Sequence, residues 1–119
     1  ILTDLGFVTN HVEEVFRSCD SLILEFNHDH NLLQRGPYPA KLKTRISGER
    51  GHLSNNQAAK FLTKIARDRF NLVVAHVSEK NNRRESIMES LEFVNKLPNY
   101  EVFFAEQDVV SGWLKVSKI

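Results

Sequence analysis

Two short apolar runs constrain this chain most, because each is almost unbroken and each stops on polar or ionisable side chains. Leu22-Ile23-Leu24-Glu25-Phe26 runs into Asn27-His28-Asp29, and Leu72-Val73-Val74-Ala75 runs into His76-Val77-Ser78. Near-continuous apolar runs of this length read as buried strands, the kind found in sheets flanked by helices. Ile1-Leu2-Thr3 ends in the same manner on Asp4, and Gly51-His52-Leu53-Ser54-Asn55 stands just before a helical pattern. A charged group at the end of a buried strand is costly unless something pairs it. Strand ends that deliver Asp, Glu and His are how an α/β scaffold assembles a metal or acid–base site. The pattern therefore points to a site first and to packing second.

Between the strands the apolar spacing becomes helical. Asn10 with Glu13 fits an N-cap and capping box, and Val12, Val15, Phe16 and Cys19 fall on one face. Asp29 to Arg35 and Pro39 to Ile46 read as short helices, stopped by Gly36-Pro37 and by Gly48. After a cap at Ser54 or Asn55, residues Ala58, Phe61, Leu62, Ile65 and Ala66 form the apolar face of an amphipathic helix. Glu85 to Lys96 reads as another, with Ile87, Met88, Leu91 and Val94 inward and Pro98 marking its end. Glu101 to Ala105 and Gly112 to Val116 read as closing strands. The alternation of strand and helix predicts an α/β layer structure.

At 119 residues the chain holds one domain and not two. Its 41% apolar and 26% charged residues are those of an ordinary globular protein, and no apolar run approaches the roughly 18 residues of a membrane span. The single cysteine, Cys19, excludes an intrachain disulfide and suits a reducing, cytoplasmic setting; it is expected to be a buried thiol. The chain opens on a strand-like segment, with neither an initiator Met nor a signal-peptide pattern, and is expected to be a processed or excised piece. A formal charge of +1 is too small to argue for nucleic acid. The basic residues nevertheless gather beside the polar motifs, as Lys41, Lys43, Arg45 and Arg50 and as Lys80, Arg83 and Arg84; a solvated face is the default for such runs.

Taken in order, Thr3-Asp4-Leu5-Gly6, Leu24-Glu25-Phe26-Asn27-His28-Asp29, Gly36-Pro37-Tyr38-Pro39, Arg45-Ile46-Ser47-Gly48, Gly51-His52-Leu53-Ser54-Asn55 and Ala75-His76-Val77-Ser78 resemble the metallo-β-lactamase-fold hydrolases. Within that family the likeness is to the YycJ/WalJ nuclease group, with tRNA 3′-processing endonucleases as more distant relatives. The resemblance implies the C-terminal half of an αββα sandwich, a mixed sheet with flanking helices, across residues 1–119. It also implies an N-terminal half bearing His-x-His-x-Asp-His, a motif this sequence does not contain.

The resemblance gives roles to particular residues. Asp4 matches an aspartate that bridges two metal ions, and His76 matches the last metal-binding histidine. Glu25 and His52 match an acid–imidazole pair that handles a proton at the scissile phosphate; an acid that orients a His makes it a better proton donor. His28, Asp29 and Asn81 are expected near the site. Lys41, Lys43, Arg45 and Arg50 are expected to hold flanking phosphates. The plainer alternatives are a turn Asp at position 4, a structural His at 76, and a helix-capping Glu25 with a loop His52.

The implied cofactors are two divalent ions, zinc or manganese. The implied activity is a phosphodiesterase of nuclease type acting on nucleic acid. Two rivals stand beside it: hydrolysis of a small ester or cyclic phosphate on the same fold, and a non-catalytic half-domain serving as an interaction module. The expected partners are the substrate, the missing half of the same domain, and a second copy through self-association; a membrane is not expected.

Overall fold

The computed structural model describes residues 1–65, 70–92, 96 and 100–116 of the chain. Its centre is a three-stranded sheet of β1 (Ser21–Glu25), β2 (Phe70–Ala75) and β3 (Tyr100–Phe104), in that spatial order. Both strand pairs are parallel, with Ile23 opposite Val73 and Val73 opposite Phe103. The sheet was expected to be mixed; among the described strands it is parallel. The connections explain this, since parallel strands need a crossover and each crossover here contains helix. Between β1 and β2 lie α2 (His30–Arg35), α3 (Ala40–Ser47) and α4 (Asn55–Ile65); between β2 and β3 lies α5 (Arg84–Ser90).

Alternation along the strands separates two faces. Leu22, Leu24, Phe70, Leu72 and Val74 are no more than 2% exposed, and they cluster with Ala58, Phe61, Leu62 and Ile65 of α4 and Ile87 of α5. Burying each of the large α4 side chains stabilises the fold by about 1.5–3 kcal/mol. The opposite face carries Ile23, Val73 and Phe103 in register, and none of the three belongs to this core. Near that face the Asn71 amide donates to the Lys115 carbonyl (3.2 Å).

The start of α4 is fixed by a reciprocal cap. The Gln57 N–H donates to Ser54 Oγ (3.3 Å), while the Ser54 N–H donates to Gln57 Oε1 (2.9 Å). Beneath it the buried amides of Asn55 and Asn82 exchange two hydrogen bonds of 2.8 Å, and Asn82 also donates to the Phe26 carbonyl (2.8 Å). This locks α4, the end of β1 and the approach to α5 together.

Several local expectations are corrected. The cap of α1 (Asn10–Phe16) is Thr9, not Asn10; its extended backbone lets Oγ1 accept from the Val12 N–H (3.3 Å). Val15 is 54% exposed, because in a two-turn helix Val12 and Phe16 take the inward stripe. Cys19 lies past the helix and is half-buried. Met88 is exposed, since Ile87 and Leu91 fill the inward positions one turn apart. Residues 112–116 form no strand; the Lys115 carbonyl takes a side-chain donor where a ladder would supply a backbone N–H. Ala66, Val94 and Pro98 lie outside the described residues.

Candidate metal and acid–base site

Parallel strands leave their carboxyl ends on one edge, and that edge is where open α/β sheets bind ligands. Glu25 is the last residue of β1, and His76 directly follows β2. Leu2 runs alongside β1 as one further parallel bridge, its N–H donating to the Ile23 carbonyl (2.8 Å) and its carbonyl accepting from the Glu25 N–H (3.0 Å). Asp4 therefore emerges at the same edge. His52 arrives on the loop between α3 and α4, where the Asn27 N–H donates to Leu53 (3.0 Å) and the Asn55 N–H to His28 (2.9 Å).

Two glycines permit this approach. A Cβ on Gly6 would sit 2.2 Å from the Glu49 carbonyl oxygen, and one on Gly51 would sit 2.1 Å from that of Ile46. Neither gap admits a side chain, so the loops carrying Asp4 and His52 close against the end of α3 only with glycine at both positions.

Asp4, Glu25, His52 and His76 bring one donor atom each to within 4.8 Å of one another. Glu25 is the hub and its side chain is fully buried. Its Oε1 accepts from Nδ1 of His52 (2.7 Å), and Nδ1 of His76 lies 2.6 Å from the same oxygen. Its Oε2 accepts longer bonds from the N–H groups of Leu5 and Leu53, both 3.4 Å. The two imidazoles meet edge to face, 5.1 Å between centroids. Asp4 Oδ1 stands 3.8 Å from each Nδ1, and its side chain is 67% exposed. The cluster is thus closed below by Glu25 and open above at Asp4 and His76.

Asp4 and His76 also share an uncommon backbone, with φ of 59° and 53°. Left-handed conformation costs a non-glycine residue on the order of 1–2 kcal/mol. Strain of that kind persists where the surroundings over-determine it, and it gathers at functional sites.

A carboxylate that takes the Nδ1–H of His52 fixes the tautomer of that ring and leaves its Nε2 free as acid or base, while His76 presents Nδ1 to both carboxylates. Two carboxylates and two imidazoles form an oxygen and nitrogen donor set that suits zinc or manganese. The arrangement can therefore hold a divalent cation and present an oriented imidazole beside it.

Other residues singled out in the sequence fall at different distances from this centre. Arg45 and Arg50 line a cavity of about 300 Å³ together with Asp4 and His52. Lys41 and Lys43 do not line it: Leu42, Arg45 and Ile46 make up the facing side of α3, and Lys43 donates to the Gln34 carbonyl (2.7 Å). Asp29 caps α2 by accepting from the Leu32 N–H (2.9 Å). Asn81 is buried in the turn after His76, where its N–H donates to Ser78 Oγ (3.1 Å). It lines a second cavity beside His52 and His76. His28 points inward, only 1% exposed, with Nδ1 3.3 Å from Asn27 Oδ1. Tyr38 and Lys80 stand on the wall of that second cavity; the sequence placed Tyr38 in a motif between two prolines and Lys80 in a basic cluster, without a role at the site for either.

Burial, with help from the charges of His30 and His52 and against that of Asp29, pushes the His28 imidazole down to about 4. The unfolded chain takes up this proton near 6.5, while the folded chain resists it until about 4. The His28 contribution to stability is therefore complete above pH 6.5 and is lost as the pH falls through that window. Denaturant titrations at pH 7 and pH 4.5 should show a loss of up to about 3 kcal/mol that His28→Gln removes. An equal loss in the variant would assign the pH dependence elsewhere.

No family model matches the chain. The chain is nevertheless homologous to a class of exodeoxyribonucleases, as the order of its motifs led us to expect. Over 98 residues it is 33% identical to exodeoxyribonuclease WalJ of Streptococcus pneumoniae, in strains D39 and R6, covering 82% of this chain and 36% of WalJ. Over 86 residues it is 33% identical to exodeoxyribonuclease YycJ of Bacillus anthracis, covering 71% of this chain and 33% of that protein. The chain spans about a third of the length of these relatives. No helix among the described residues is long and apolar enough to cross a membrane.

Proposed function

We propose that this chain supplies part of the active site of a metal-dependent phosphodiesterase that degrades DNA. The observation that carries the reading is the convergence of Asp4, Glu25, His52 and His76 within 4.8 Å at the carboxyl edge of a parallel sheet. The names of the homologous exodeoxyribonucleases support DNA as the substrate.

In this reading Asp4 and His76 hold divalent metal, and Glu25 and His52 move the proton. A bound divalent ion would polarise the phosphoryl oxygen and make water a competent nucleophile. Glu25, holding Nδ1 of His52, raises the basicity of that ring and sets its orientation. The remaining nitrogen of His52 is then the one that delivers a proton to the departing alkoxide. His76 turns Nδ1 toward both carboxylates, 2.6 Å from Glu25 Oε1 and 3.8 Å from Asp4 Oδ1, which suits a metal-binding imidazole. Arg45 and Arg50 neutralise the flanking phosphates.

Asp4 and His76 do not complete a coordination sphere, since even one zinc usually takes four ligands. The other ligands come from the rest of a longer protein, in an αββα arrangement. Its second layer would cover Ile23, Val73 and Phe103, an apolar face that otherwise invites association.

The test is hydrolysis by the full-length protein after chelation and after return of zinc or manganese. The substrates are single- and double-stranded DNA, RNA and a small cyclic phosphodiester. Chelation should abolish cleavage and metal should restore it, with DNA cut fastest. Undiminished cleavage after exhaustive chelation would defeat the metal role, and preference for the cyclic phosphodiester would defeat the nuclease role.

A further inference from the structure

We propose that the cavity beside His52 and His76 seats the nucleoside next to the reacting phosphate, with Tyr38 as its stacking surface and Lys80 as its cation. The inference rests on the phosphodiesterase reading and extends it to how the strand is held. The cavity measures about 430 Å³ and shares both histidines with the site, so a group seated in it adjoins the four donors.

Tyr38 stands half-buried on the wall, between Pro37 and Pro39. Proline fixes its own φ and restricts the residue before it, so this ring has a stiff mounting. Lys80 Nζ lies 6.0 Å from the centre of the ring. Its turn is anchored on both sides, by the Asn81 N–H on Ser78 Oγ (3.1 Å) and by the Asp29 N–H on the Asn81 carbonyl (2.9 Å). An aromatic face with a cation beside it is the usual way to hold an unpaired nucleotide, since every base offers a π-face.

Charge separates the two cavities that meet at His52. One carries Arg45 and Arg50 and suits phosphate. The other sets Lys80 beside Glu79 and adds the amides of Asn27 and Gln107, a lining that suits a base more than a second phosphate. A strand crossing the site would place one phosphate toward α3, the reacting phosphate at the four donors and the adjoining base on Tyr38. Stacking of this kind is indifferent to sequence, so the substrate class is an unpaired or frayed DNA end without base preference.

The experiment is fluorescence anisotropy of a labelled single-stranded oligonucleotide with the full-length protein in chelator, where nothing is cut. A matched oligonucleotide with abasic sugars serves as the second ligand. Tyr38→Leu should weaken binding of the normal strand about tenfold or more, and Tyr38→Phe should restore it to within about twofold. Wild type should lose about the same factor on the abasic strand, with no further loss in Tyr38→Leu. Lys80→Gln should weaken binding of the normal strand about two- to fivefold, the loss of one cation beside the stacked pair. Normal binding by Tyr38→Leu, or equal weakening on both strands, overturns the seat. If that variant also cuts DNA as wild type does, only the seat fails and the nuclease reading stands. If wild type neither binds nor cuts DNA, both fail together.

Discussion

Glu25→Ala in the full-length protein is expected to lower DNA hydrolysis by at least 10²-fold, within the roughly 10²–10⁴ attributed to positioned proton transfer. One oxygen of this carboxylate accepts from His52 (2.7 Å) and lies 2.6 Å from His76 Nδ1, and the other meets the N–H groups of Leu5 and Leu53. Truncation strips His52 and both backbone donors of their acceptor at once. Two of them are backbone groups beside the core, and an unsatisfied buried donor costs about 1–3 kcal/mol. Denaturant unfolding should therefore show a loss of about 2–4 kcal/mol, and metal affinity should fall about 10- to 100-fold. Glu25→Gln separates the two effects. The amide keeps the shape and one acceptor, so stability should largely recover, but it lacks the charge that raises the basicity of His52. Turnover close to wild type in Glu25→Gln would show that the carboxylate is structural only.

The second large effect concerns His52. Its imidazole is 29% exposed, it borders the Arg45–Arg50 cavity, and its Nδ1 is committed to Glu25. His52→Ala is expected to depress turnover by about 10²–10⁴-fold while leaving bound metal largely in place. The defect should shrink for substrates with a good leaving group, which need little help from a proton donor. A fall in metal content matching the fall in turnover would make His52 a ligand instead.

Strand ends made much of this site legible. Asp4, Glu25 and His76 each stand where an apolar run stops, and parallel pairing brings those ends to one edge. Alternation then explains which neighbours do not follow. After Glu25, Phe26 turns into the core, Asn27 reaches the cavity beside His76, and His28 turns inward again. The run His28-Asp29 therefore stands beside the four donors and not among them: His28 is buried yet close enough to feel the charge of His52, and Asp29 caps a helix. The basic cluster divides for a related reason. Residues on a helix turn by about 100° each, so Arg45 shares a face with Leu42 and Ile46 while Lys41 and Lys43 diverge. Nothing in the composition signalled that one carboxylate would lie against two imidazoles, or that Asp4 and His76 would take left-handed backbone. Both follow from loops meeting at the edge, which depends on the packing of Gly6 and Gly51 against α3.

The most direct measurement takes full-length wild type, His52→Ala and His76→Ala through the same preparation and records bound metal per chain and DNA turnover for each. The account predicts that His76→Ala loses metal and turnover together, while His52→Ala loses turnover and keeps its metal. A His76→Ala protein that retains both its metal and its cleavage of DNA would contradict the assignment of this edge as a metal-dependent hydrolytic site.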